Sequence, residues 1–454
     1  MQNKSNTFSS KIGLMAATVG SAIGLGNVWR FPAETQANGG AAFLAVYVLC
    51  VLMLGIPVMI GEFALGKGGR SDSIGIYKKL SPKTKWWLTG CIGLLASYII
   101  LSFYIVVAGW TLEYLFYSFN GDLYSSAADY TNGEYYFKER MGEYISSPVR
   151  PIVFSYIMLA ANLVILLMGV QKGIEKVSSI LMPVLFLVLV AFIIFTLQLP
   201  GASEGLKFFL SPDFSKINIS VIINALGQAF FSLSLGMGIL TTYASYFPKK
   251  TDITKTAITV SMLDMLVAIM MGLIIFPAVA SFGLMNQTFE GATLVFVTLP
   301  EVFQSMEGGR IWSTLFFLLL LVAALTSTIS IAEVTIAFFR DRFNFKRTKA
   351  CLIVIIPLFL LSALCSLSLC PGSILTFWGK SLFDCADTFA TNILLPSGAI
   401  IMCIYLGWFS PENFFKTQTE SNSKIGVRLF PVIMFIIRYI APPVLAVILF
   451  TGIL

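Results

Sequence analysis

Apolar residues run along this chain in stretches long enough to cross a bilayer as helices, which takes about 20 residues each. Eleven such stretches are present, at about 12–37, 41–66, 88–118, 151–170, 177–199, 219–246, 254–283, 311–339, 350–370, 377–407 and 429–453. They predict an all-α membrane protein of about eleven transmembrane helices in a single domain, residues 1–454. Several stretches exceed the minimum, so tilt is expected, although length alone sets no angle. The long connection 284–310 carries Gly291, Pro300 and an apolar stretch at 294–299, and is expected to form a short helical hairpin capping the outer face. The residues from Met1 to Ser10 are polar and read as no cleavable signal, so the first helix itself would direct insertion.

An odd number of spans puts the two ends on opposite sides. Placing the N-terminus in the cytoplasm puts 21 of the 30 basic residues on the inside, including the cluster Lys67, Arg70, Lys78, Lys79, Lys83 and Lys85. The segment 119–150 is acidic and Tyr-rich, which suits an outside loop. The expected location is a cell (plasma or inner) membrane, with the C-terminus extracytoplasmic.

Composition narrows the chemistry. The chain is 57% hydrophobic and 12% charged, too few charges to cover a soluble globule of 454 residues. The net charge of +7 is carried by the loops as a topology signal, and no nucleic-acid partner is expected. There is no His, which removes imidazole bases and His-ligated metals. The seven Cys show no CxxC spacing and read as small buried hydrophobes rather than as disulfide or metal ligands. No clustered acid–base pair marks an enzyme.

Two spans are unlike the rest. The first contains GSAIGLGN at 20–27, followed by Arg30, Phe31 and Pro32; the sixth contains FSLSLGMG at 231–238. Gly with Ser and Asn weakens a helix where lipid would most require one. A break frees carbonyls and N–H groups in mid-membrane, each costing several kcal/mol unless satisfied. Carbonyls suit a hard cation, and half-helix N-termini suit a carboxylate. Matching breaks in spans one and six predict two inverted five-helix repeats, about 11–199 and 219–407, with helix 11 at about 429–453 and a site at the repeat interface. Close small-xxx-small packing is the alternative, and Gly20 with Gly24 fits it.

At these residues the chain resembles the neurotransmitter:sodium symporter family, in its bacterial amino-acid-transporter branch. The marks are residues 20–32 (GSAIGLGNVWRFP), 38–43 (NGGAAF), Gly55-Ile56-Pro57 with Glu62, 227–238 (GQAFFSLSLGMG) with 243–246, and 323–327 (AALTS), in the family's order along nearly the whole chain. The resemblance implies a sodium-coupled symporter that imports an amino acid by alternating access. An amino-acid receptor or channel that does not transport would carry the same motifs; a proton-coupled carrier of similar fold is set apart by the hydroxyl pair Thr326 and Ser327, which a sodium site uses.

The resemblance implies two Na+ sites. The first takes the carbonyl of Ala22 with Asn27, Ser232 and Asp264, and is completed by the substrate carboxylate, which would couple the two solutes reciprocally. The second takes the carbonyls of Gly20, Ile23 and Ala323 with the hydroxyls of Thr326 and Ser327. Many family members have Asn where Asp264 stands and bind chloride nearby. Here the intramembrane carboxylate would supply that charge, so no chloride is expected. The unwound backbone around Ser21, Ala22, Gly24, Gly26 and Ser234 would hold the amino acid, with Tyr104 helping to bind its carboxylate. Ile100, Phe231, Met237, Thr328 and Ile331 would line an uncharged side-chain subsite, favouring a neutral, apolar or aromatic substrate. Arg30 and Asp387 match the outer gate, and Tyr246 and Asp341 the inner gate. The family's N-terminal Arg is replaced by Ser5 and its following Trp by Phe8, so Lys4 is the candidate partner of Asp341. Glu62 reads equally as a brace for the broken backbone and as a coupling residue. Gly173 and Pro183 weaken the start of the fifth span, where similar transporters unwind; a simple bend is the alternative. Oligomeric state is not legible.

Overall fold

The structure is a computed structural model that describes residues 7–125, 133–285 and 291–453. Helix α1 (Lys11–Ala22) opens at Ser10, whose side chain accepts from the Gly13 N–H and so satisfies one free donor of the first turn. It stops at Ala22. After three non-helical residues the chain resumes as α2 (Gly26–Ala37), bent 55° from α1. Gly39 and Gly40, at φ 90° and 67°, turn the chain into α3 (Ala41–Gly69). Asp72 caps the short α4 (Ser73–Leu80), accepting from the Ile74 and Gly75 N–H groups.

The long α5 (Trp87–Asn120) is followed by α6 (Gly133–Ser146), α7 (Arg150–Leu167), α8 (Val170–Thr196) and α9 (Ala202–Leu210). A second interrupted pair comes next: α10 (Ile219–Ser232) and α11 (Ile239–Ser245). Then follow α12 (Ile253–Ser281), α13 (Gly291–Gln304), α14 (Gly309–Phe343) and α15 (Arg347–Leu367). A two-residue hairpin, β1 (Thr376–Phe377) with β2 (Lys380–Ser381), leads to α16 (Leu382–Phe409), α17 (Phe414–Glu420) and α18 (Lys424–Gly452).

Among the described residues nine helices are long and apolar enough to cross a membrane, and ten crossings result if α1 and α2 count as one. The eleventh expected crossing corresponds to α10 plus α11, two pieces each too short to span alone. Burial separates centre from rim. The apolar window of α14 is 78% buried and those of α3, α5 and α12 61%, against 28–33% for α7, α8 and α18. α14 therefore runs through the protein interior, while the last three turn much of their surface outward.

Three local expectations are corrected. The 284–310 connection holds a single helix, α13, among its described residues, not a hairpin. Pro300 lies where the helix continues from one over-wide turn, and Phe296 packs its ring against Trp29, Trp110, Tyr114 and Phe317. The tenth span starts at Leu382 rather than 377, because Trp378 and Gly379 take φ 51° and 76° in the hairpin turn. The fifth span is wound from Val170 onward and runs through Pro183. Gly173 is a close-approach glycine: an added Cβ would lie 2.1 Å from the Ile165 carbonyl oxygen of α7.

Candidate functional site

The break between α1 and α2 exposes backbone groups that neighbouring helices satisfy one by one. The Gly24 N–H donates to Asn27 Oδ1 (3.2 Å) and the Leu25 N–H to the Tyr104 hydroxyl on α5 (3.0 Å). The Ile23 carbonyl accepts from the Ser327 hydroxyl on α14 (3.2 Å), and the Ser21 carbonyl from Ser234 (3.2 Å). Gln228 on α10 donates to the Gly26 carbonyl (3.1 Å). Buried peptide groups need such partners, and here side chains supply what the helix gave up.

The break between α10 and α11 has its own cause and its own brace. Ser234, Gly236 and Gly238 all take left-handed φ (54°, 82° and 73°), which stops the helix. Glu62, 1% exposed, accepts from the Gly236 N–H (2.7 Å) and from the Thr241 hydroxyl (3.2 Å). Its two oxygens thus hold the gap itself and the half-helix that follows it, in keeping with the bracing reading.

Between the breaks lie two clusters. In the first, Asn27 Nδ2 donates to Ser232 Oγ (3.0 Å) and Asp264 Oδ1 (2.9 Å), and Ser232 Oγ donates to Asp264 Oδ2 (2.6 Å). All three are buried, Asp264 and Asn27 completely. Tyr47 reaches the same Ser232 hydroxyl at 3.4 Å, and Ala22 lines the adjoining cavity. In the second, Ser327 bonds the Ile23 carbonyl, the Thr326 hydroxyl donates to the Val322 (3.0 Å) and Ala323 (3.1 Å) carbonyls, and Gly20 lies against Thr326. The structure thus brings Asn27 of α2 together with Ser232 of α10 and Asp264 of α12, and the Ile23 carbonyl at the break together with Ser327 of α14, next to Thr326 and the Ala323 carbonyl.

A cavity of about 40 Å³ adjoins both. It is lined by Ser21, Ala22, Gly24, Gly26, Ile100, Tyr104, Phe231, Ser234, Met237 and Ile331. Phe103 and Ile239 join them. Thr328 does not: its hydroxyl turns back to the Leu325 carbonyl of its own helix (3.0 Å). Two glycines keep the space open. A Cβ on Gly24 would meet Ser327 Oγ at 2.8 Å and the Tyr104 hydroxyl at 3.0 Å, and one on Gly26 the Phe231 ring at 2.8 Å. Gly24→Ala is expected to reduce ligand affinity about tenfold or more by displacing two polar groups of the cavity wall. Equilibrium binding of a labelled amino acid measures this, and unchanged affinity would refute the close approach.

Above the cavity the Arg30 guanidinium covers the Phe231 ring at 4.6 Å. Its direct ion partner is Glu34, at 3.8 Å, rather than Asp387, which lies near enough for Arg30 to act on it electrostatically. Below, the Tyr246 hydroxyl donates to Glu333 Oε1 (2.7 Å), and Arg347 holds Glu333 with two nitrogens (3.1 and 2.8 Å). Asp341 pairs with its neighbour Arg340 (3.2 Å). Phe8 donates its N–H to the Tyr246 carbonyl (3.1 Å) and packs its ring edge-on to Tyr243 and Tyr246. Lys4 and Ser5 lie outside the described residues.

Glu333 was missed from sequence, although the rule that singled out Asp264 and Glu62, a carboxylate inside an apolar run, applies to it equally. Glu175 was missed as well. Its carboxylate accepts from the backbone and hydroxyls of both Ser9 and Ser10 (2.8–3.0 Å), tying the start of α1 to α8.

Two broken helices, their freed backbone braced by side chains around a small cavity, are the architecture of a secondary transporter. The sodium:neurotransmitter symporter family model matches residues 5–140 and 135–454, and the chain belongs to that family of sodium-dependent transporters. It is 37% identical to YhdH of Bacillus subtilis, an uncharacterized sodium-dependent transporter, over 97% of this chain and 96% of that one. It is 35% identical to another, MJ1319 of Methanocaldococcus jannaschii, over 93% and 86%. The crystal structure of MhsT in complex with L-phenylalanine matches with a TM-score of 0.87 at 38% identity, over 98% of this chain and 99% of that one.

Proposed function

We propose that this protein imports a neutral, hydrophobic or aromatic L-amino acid, driven by Na+ held at two sites and without chloride. The observation that carries the reading is the convergence of two braced breaks on one cavity, with an uncharged wall on one side and Asp264–Asn27–Ser232 on the other. The carbonyl of Ala22 with Asn27, Ser232 and Asp264 forms the first Na+ site. Gly20, Ile23, Ala323, Thr326 and Ser327 form the second. The amino acid's carboxylate takes over from Asn27 Oδ1 and the Tyr104 hydroxyl oxygen as acceptor of the Gly24 and Leu25 N–H groups and accepts from the Tyr104 O–H, close to where a half-helix begins.

The side-chain subsite of Ile100, Phe103, Phe231, Met237 and Ile331 carries no charge, so a basic or acidic substrate would lose its hydration without a partner. At about 40 Å³ the cavity admits a large side chain only after Met237 or Phe231 turns, and Met is the most adaptable wall residue. The phenylalanine bound by MhsT supports the aromatic reading. Counting α10 with α11 as one crossing gives eleven spans in two inverted repeats, with the N-terminus and the basic loops in the cytoplasm.

The test is a panel of labelled amino acids offered to proteoliposomes with and without an inward Na+ gradient. Accumulation of Leu, Phe, Tyr or Trp only with the gradient is the expected result. Equal uptake in sodium-free buffer, or binding without accumulation, overturns it.

A further inference from the structure

A second, larger cavity opens at the end of the molecule that carries the basic loops. Its volume is about 900 Å³, and six of its lining residues are cationic: Arg70, Lys79, Lys172, Arg340, Lys346 and Arg347. Asp341 is the acid in its wall, and Glu333 lies behind Arg347. With those two and the buried Asp72, which lies near enough to Asp341 to act on it electrostatically, set against the six, three positive charges remain in excess around one concavity. Membrane topology asks for basic loops but does not require them to converge. Convergence between low-dielectric walls focuses a positive potential and raises the local concentration of anions.

The individual groups are also held ready. Arg70 is fixed through Nη2 on the Phe247 carbonyl (2.9 Å), and Lys79 through the Arg70 carbonyl (3.0 Å). Arg340 uses Nε on Asp341 and Nη2 on the Tyr246 hydroxyl, while its Nη1 is buried with no hydrogen-bond partner. A buried guanidinium donor left unpaired is costly and points to an absent acceptor. The side chains of Lys172 and Lys346 are exposed and make no hydrogen bond or ion pair among the described residues.

We propose that this vestibule binds a phosphate-bearing multivalent anion, which holds the inner mouth of the transporter closed. Converging guanidinium and ammonium groups match the several oxygens of a phosphate better than a lone carboxylate does. The bases come from both sides of the mouth. Arg70, just after α3, is bonded to the segment after α11, whereas Lys172 lies in the first turn of α8, Arg340 in the last turn of α14, and Lys346 and Arg347 at the start of α15. An anion bridging them ties together the elements that must separate for the cavity to discharge. Lys346 also borders an outward-facing apolar groove along α15, so the phosphate comes either from solution or from a lipid headgroup.

The test uses the full chain in phosphatidylcholine nanodiscs, titrated with potassium pyrophosphate against potassium gluconate at equal ionic strength. Saturable binding is expected, weakened about tenfold or more in the variant Lys172→Gln/Lys346→Gln, whose side chains make no hydrogen bond or ion pair among the described residues. In proteoliposomes, pyrophosphate in the lumen is expected to slow Na+-driven uptake in the wild type and not in the variant. If instead phosphatidylglycerol slows uptake in a variant-sensitive way, and pyrophosphate does not bind, the headgroup is the source. Absence of both effects, equal effects in the variant, or binding that leaves uptake unchanged overturns the proposal. The binding arm needs no amino acid, so it stands or falls apart from the transport reading.

Discussion

Thr326→Ala/Ser327→Ala is expected to lose Na+-driven accumulation while remaining folded. A monovalent ion held by neutral oxygens depends on having all of them, because no single ligand carries a full charge. A contact to a charged partner contributes about 1.5–3 kcal/mol, so each lost hydroxyl costs roughly ten- to a hundredfold in Na+ affinity. The fold loses far less. The Thr326 hydroxyl bonds only carbonyls of its own helix, at 3.0 and 3.1 Å, and the Ser327 hydroxyl makes one bond to Ile23. Removing these costs about 1 kcal/mol each and leaves no large cavity. The measurement is uptake of a labelled amino acid in proteoliposomes, with thermal unfolding of the same preparation as control. Concentrative uptake in the double variant at the wild-type rate would remove the second Na+ site from the account.

The sequence and the structure agree most closely where chemistry forced an exception on an otherwise apolar pattern. The breaks were legible because Gly24, Gly26, Gly236 and Gly238 interrupt runs in which a helix-former would otherwise stand. Asp264 and Glu62 were legible because a carboxylate in an apolar run needs a reason. What the residues do with those positions was legible only by resemblance, or not at all. Nothing in the spacing shows that Glu62 reaches across to Gly236, since the contact spans 174 positions. Thr328, which the resemblance places in the subsite wall, bonds its hydroxyl back along its own helix. Gly173 shows the converse error. A glycine near a proline reads as a hinge, while here it is the small residue that lets α7 and α8 touch. Local pattern reports where the backbone is unusual; it does not report which distant group the unusual place was made for.

Asp264→Asn is expected to weaken Na+ affinity at the first site and to make uptake respond to chloride. Asp264 is fully buried, donated to by Asn27 and Ser232, and its oxygens form none of the ion pairs found among the described residues. An ionised carboxylate in that setting is costly until a cation joins it, and a bound Na+ is costly until an anion joins it. Each therefore stabilises the other, by about 4 kcal/mol for charges 4 Å apart at the effective dielectric of such sites. Asn keeps the size and one carbonyl oxygen but not the charge, so the loss falls on the ion, by roughly two to three orders of magnitude in affinity. A small anion admitted to the same neighbourhood would restore part of the balance. Na+ dependence of uptake is therefore measured for both proteins with chloride present and with chloride replaced by gluconate. Wild-type uptake should be indifferent to the exchange, whereas the variant should need higher Na+ and recover partly in chloride. Wild-type uptake that collapses in gluconate would show that Asp264 does not supply the balancing charge, and an Asn variant with unaltered Na+ affinity would show that it does not face the ion at all.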